Sequence, residues 1–124
     1  MIMKTIDYRI QTQDGPKMVT AALTAKCDNF QEISIKGVRW YDSMTNCYHK
    51  IYVSALVGGE WQELGGFADM RPGHDNHYLV TGGEWLIQNG YMTAESGYAL
   101  GNWQVREALH IGGYAQDVKR KKDM

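Results

Sequence analysis

The sequence predicts an α+β fold: a five-stranded antiparallel β-meander followed by two C-terminal helices. Three observations carry this. Apolar residues alternate with period two through the first half of the chain, from Ile6 to Phe67. The alternation stops at the polar, turn-rich run Arg71-Pro72-Gly73-His74-Asp75-Asn76. Beyond it, apolar residues recur at helical spacing, starting with Tyr78 and Leu79. At 124 residues and 44% apolar content, the chain suits a single domain over residues 1–124 with one core. The change of period divides it into a β region of about residues 1–70 and a helical region of about 76–120.

In the first strand Ile6, Tyr8 and Ile10 share a face, with Asp7, Arg9 and Gln11 opposite. Asp14-Gly15-Pro16 turns the chain, and Val19, Ala21, Leu23, Ala25 and Cys27 line one face of the return strand. The third strand runs from about Gln31 to Tyr41. Ile33 and Ile35 share a face, but after Gly37 the apolar set becomes Val38 and Trp40. A one-residue phase shift at a glycine predicts a β-bulge, with Arg39 and Tyr41 turned away from the core. The fourth strand carries Cys47, His49, Ile51, Val53, Ala55 and Val57 on one face. Gly58-Gly59 then makes a two-residue hairpin turn into a fifth strand, Trp61 to Phe67.

The first helix is expected after Asp75 or Asn76, either of which can cap it, and Gly90 is its stop. Gly82 lies on the apolar stripe, where a glycine lowers helix propensity by about 1 kcal/mol, so a close backbone contact is expected there. The last helix is expected from Thr93, with a kink, an interruption or a strand near Gly112-Gly113 as the alternative. Gly97 with Gly101, and Ala108 with Gly112, recur at spacing four. That spacing predicts a close helix–helix contact, and a homo-oligomer formed through the C-terminal helices.

Net charge is −1, which gives no pull toward anionic partners; the basic run Lys119–Lys122 reads as a solvated tail. No stretch approaches about 18 apolar residues, and Met1-Ile2-Met3-Lys4-Thr5 lacks a signal-peptide core, so a cytoplasmic protein without a membrane partner is expected. Cys27 and Cys47 then read as free thiols. No groove-reading motif for duplex DNA is present. Neither is a nucleophile elbow, phosphate loop or metalloprotease helix, and the acidic residues are scattered, so neither an enzyme nor a cofactor is predicted. Cys47, His49, His74 and His77 are ligand types that suit zinc, but their spacing matches no zinc motif; a packed thiol and a hydrogen-bonded histidine are expected.

The positive prediction is ligand binding by arginines and aromatics. Arg39, Arg71 and Arg106 are the candidate phosphate holders, since planar guanidinium groups grip phosphate bidentately. Trp40, Phe67 and Trp103 are the candidate stacking residues, because aromatic faces accept any base. Together they would hold a nucleotide between sheet loops and the last helix.

The segments Arg39-Trp40-Tyr41-Asp42 … Asn46-Cys47-Tyr48-His49-Lys50-Ile51-Tyr52-Val53 and Gly66-Phe67 … Asp75-Asn76-His77-Tyr78 … Thr81 … Trp85-Leu86 … Gly90-Tyr91 resemble a pattern in small phage and prophage proteins. The resemblance spans roughly the middle half of the chain. Cys47 stands where a hydroxyl residue is usual there, and Gly82 where alanine is usual. Within that group the layout is similar to the Thoeris anti-defence sponges of phages. The resemblance implies a non-enzymatic viral protein in the host cytoplasm that sequesters a cyclic ADP-ribose type of immune signal, with Arg106 the first position to compare. The alternatives are a protein–protein inhibitor of a host defence complex, of the anti-CRISPR kind, and a metal-dependent hydrolase.

Overall fold

In a computed structural model that describes residues 4–124, β1 (Thr5–Thr12) and β2 (Gly15–Leu23) form the expected hairpin. Part of the N-terminal segment read for a signal peptide, residues 1–3, lies outside the described residues. The hairpin does not run on into a meander. A 3-10 turn at Ala25–Cys27 redirects the chain, and β2 pairs instead with β7 (Met92–Thr93), to make a separate three-stranded sheet. The remaining expected strands, β3 (Glu32–Tyr41), β4 (Cys47–Val57) and β5 (Glu60–Gly65), do form a meander. Their hairpin closes on Gly58-Gly59, both at positive φ (58° and 81°), the geometry of a two-residue turn that follows strand twist.

The second sheet is mixed. Its order is β5-β4-β3-β8, with β8 (Ile111–Val118) parallel to β3 and β6 (Arg71–Pro72) pairing with β4 at Tyr48 and His49. One antiparallel meander is thus corrected to two sheets, because the hairpin and the later strands meet partners that are distant in sequence. The helical region is corrected as well. The first helix, α1 (His77–Gln88), matches the expectation. The second is only α2 (Trp103–Leu109), preceded by a 3-10 segment at Gly97–Gly101 and followed by β8. The small residues Gly112 and Gly113, read as helical, lie in this strand, as the alternative had it.

The expected bulge at Gly37 is also absent. Pairing runs unbroken from Glu32↔Leu56 to Tyr41↔Cys47. Gly37 has a different reason: a Cβ there would lie 2.4 Å from Cγ of Tyr78 on α1. The glycine therefore lets the helix lie against the strand. The contact expected at Gly82 is real and meets Ile35, whose Cδ1 would be 2.5 Å from an added Cβ. Ile33, Ile35, Ile51 and Val53 of this sheet face and Tyr78, Leu79 and Leu86 of α1 form the centre of the core. Because the alternation is unbroken, Arg39 shares this face, and Val38 and Trp40 point to the other.

Candidate anion-binding site

Residues directly opposite each other in neighbouring strands project to one face. The pairings Arg71↔His49, Arg39↔His49 and Arg39↔Asp117 therefore set Arg71, His49, Arg39 and Asp117 in one row across β6, β4, β3 and β8. The N-terminus of α1 stands over this row. His49 is the fixed point. It is 1% exposed, and its Nε2 lies 2.7 Å from Oγ1 of Thr81 on α1. Its Nδ1 is buried and makes no hydrogen bond. Its ring is 5.7 Å from that of His77.

Burial first, then the neighbouring His77 and to a smaller extent Arg71, together push the His49 pKa down from 6.5 to about 4, against an opposing pull from the Gly73 backbone. The imidazole is therefore neutral at neutral pH. It acts as a strut between β4 and α1, and the Arg71 guanidinium that helps to depress it is a fixed positive charge nearby.

Arg39 donates from Nε to Oδ1 of Asp117 at 2.6 Å and from Nη1 to the Asp75 carbonyl at 2.9 Å. The hydrogen bond to Asp117 raises its pKa above the ordinary value. It thus ties β3, β8 and the entry to α1 together. Arg71 is in no ion pair among the described residues; its guanidinium lies 3.9 Å from the centroid of the Phe67 ring, which leaves its edge open to an acceptor. At the helix start the His77 and Leu79 N–H groups donate to the His74 and Asn76 carbonyls, both at 3.0 Å. Asn76 makes no side-chain cap, and the first turn holds no acid. Gly73 takes φ 150°, and an added Cβ would lie 2.6 Å from the His77 ring, so the loop needs glycine to bring the histidine in.

The six residues singled out in the sequence do not converge. Arg39 and Arg71 lie in one row on either side of His49, and Phe67 lies against Arg71. Trp40 is on the outer face of the sheet, stacked on Tyr48 at 5.7 Å. Trp103 is exposed on α2 and lines a groove of about 500 Å³ with Ile6 and Ala108. Arg106 donates from Nη1 to the Leu100 carbonyl at 2.6 Å and lines a 340 Å³ groove beside Glu32 and His110. From Glu32 to Arg39 is seven residues of one strand, about 23 Å at roughly 3.3 Å per residue, so Arg106 and Arg39 serve different places. His49, His77 and Asp117 were missed as members of an arginine site. An unbroken reading of Ile33, Ile35, Gly37 and Arg39 as one face would have pointed to the first of them.

Both cysteines are free and buried. Among the described residues, no three or more His, Cys, Asp or Glu side chains gather into a metal-ligating group, and no helix is long and apolar enough to cross a membrane. No family model matches the chain, and neither a curated protein nor a solved structure matches it significantly.

Proposed function

We propose that this chain is a non-catalytic binding protein for a phosphate-bearing nucleotide, held at the N-terminus of α1. One observation carries the reading: Arg39 bonds the Asp75 carbonyl at a helix start that has no capping side chain and no acid in its first turn, and Arg71 lies in the same row of the sheet without an acid partner among the described residues. A helix N-terminus is already the positive end of the dipole, so an unpaired cation near it opposes folding by a few tenths to about 1 kcal/mol. An anion near the helix start reverses the sign of that term, although the His77 and Leu79 N–H groups already donate to the His74 and Asn76 carbonyls. Arg71, flat on Phe67 and without an acid partner, is the principal phosphate ligand; Arg39, neutralised by Asp117, holds the entry to α1 in place. Tyr98, 67% exposed and edge-on to His77 at 6.0 Å, offers a face for a base.

His49 supports binding over catalysis. It is buried, neutral and already engaged with Thr81, so it is a poor proton acceptor for a ligand at the surface. The narrower reading, sequestration of a cyclic ADP-ribose type of signal in a host cytoplasm, rests on the resemblance of the middle half of the chain.

Calorimetric titration with ADP-ribose, cyclic ADP-ribose and inorganic pyrophosphate tests the proposal. A charge-assisted hydrogen bond contributes about 1.5–3 kcal/mol, so Arg71→Gln is expected to weaken binding tenfold or more, at about 1.4 kcal/mol per tenfold. Ligand recovered after denaturation should be intact. Binding of none of the three ligands would remove the reading, and a cleaved product would replace it with catalysis.

A further inference from the structure

We infer that β8 is a docking edge for a second copy of this chain, with the two β8 strands antiparallel about a two-fold axis at Tyr114. The pairing with β3 leaves one side of β8 unpaired among the described residues. The N–H of Ile33 donates to the His110 carbonyl at 3.0 Å. Because N–H and C=O groups alternate sides along a strand, those of residues 110, 112, 114 and 116 face β3. Those of Ile111, Gly113, Ala115 and Asp117 face outward. Residues 113–117 are all exposed.

An unpaired edge invites strand addition, and chains that avoid it guard their edges with charge, proline, bulges or shortness. The other edges here carry such guards. In β5, Glu60 and Glu63 are exposed, the strand is six residues long, and the register shifts opposite Val53/Ser54. In β1, Asp7 and Arg9 are exposed. By contrast β8 has eight residues, no proline and an unbroken register. From Ile111 to Gln116 it carries no charge.

That neutrality selects the occupant. A charged edge that pairs with its own copy sets like charges against each other, which is destabilising. With the axis at Tyr114, Gly113 faces Ala115 of the second copy, and the two tyrosines meet as a cross-strand aromatic pair on the outer face. The one acid, Asp117, faces Ile111 of the second copy and stays with its own Arg39. Glycines 112 and 113 leave no bulk to hold the edges apart. The result is a continuous sheet of ten strands, five from each copy, and its formation requires no ligand. It takes the place of self-association through C-terminal helices, since residues 111–118 form a strand.

Sedimentation equilibrium over a concentration series tests this with wild type, Ala115→Pro and Tyr114→Lys. The Ala115 N–H points away from β3, so proline removes no hydrogen bond within the chain and is tolerated at an outward edge position. Tyr114→Lys sets two ammonium groups against each other at the axis. Wild type should sediment at twice 14.1 kDa and both variants at 14.1 kDa, with thermal unfolding still cooperative. If Ala115→Pro fails to unfold cooperatively, Tyr114→Lys decides alone. A wild type that stays a single chain throughout, or a Tyr114→Lys variant that stays dimeric, overturns the inference.

Discussion

Lowering the pH from 6.5 to 4 is expected to remove about 3 kcal/mol of stability through His49 alone, at about 1.36 kcal/mol per unit of pKa difference. Burial holds the folded-state pKa near 4, whereas the unfolded imidazole titrates near 6.5. Between those values the unfolded chain binds the proton and the folded chain does not. Stability is therefore complete above 6.5, falls as the pH falls, and levels off below about 4, where both states are protonated. Urea unfolding at a series of pH values would check this against His49→Gln, which can still bond Thr81 but cannot titrate. The carboxylates contribute equally to both proteins, so the difference isolates His49. Equal acid slopes in the two would show that the imidazole is not buried and neutral. A bound phosphate would offset the positive charge of Arg71, so saturating ligand should shrink the acid loss.

The elements that the sequence resolves are those whose cause is local. Alternation from Cys47 to Val57 needs only a strand with one buried face. Gly58-Gly59 needs only two residues at positive φ, and α1 needs only its apolar stripe and Gly90. What it hides is set by partners distant along the chain. The pairing Leu23↔Met92 takes the first hairpin out of the meander, and Ile33↔Ile111 builds a parallel edge from a segment with helical spacing. Gly37 shows the same limit at one residue. A glycine at a phase shift and a glycine under a tyrosine read alike until α1 is in place. The candidate site follows this division. Arg39 and Arg71 stand out as guanidinium groups beside aromatics, but their shared row with His49 exists only through the registers of β3, β4 and β6. Trp103 and Arg106 belong to a short helix that contacts β1 and the start of β8, away from that row.

Gly97→Ala should destabilise the fold by about 3 kcal/mol, the upper range for overpacking. At a glycine with ordinary backbone angles, alanine normally stabilises by about 0.4–1 kcal/mol, because it restricts the unfolded chain. Gly97 is not at positive φ, so space decides the sign. A Cβ there would lie 2.2 Å from the Val80 carbonyl oxygen and 2.8 Å from the Glu84 nitrogen, both backbone atoms of α1. Backbone in the middle of a helix cannot yield as a side chain can, so α1 as a whole must lift. Gly83 faces the same seam: its Cβ would lie 2.7 Å from the Gly97 oxygen. Since either substitution opens the one contact, Gly83→Ala with Gly97→Ala should cost less than the sum of the two. Gly101→Ala is the control. It lies in the same 3-10 segment, has nothing within 4 Å and no positive φ, and should leave stability unchanged or slightly raised. Chemical denaturation of the four variants reads all three relations. A small effect at Gly97 would mean that α1 does not rest on this segment. The position of His77 beside His49 would then have to come from Tyr78 on Gly37 and Gly82 on Ile35 alone.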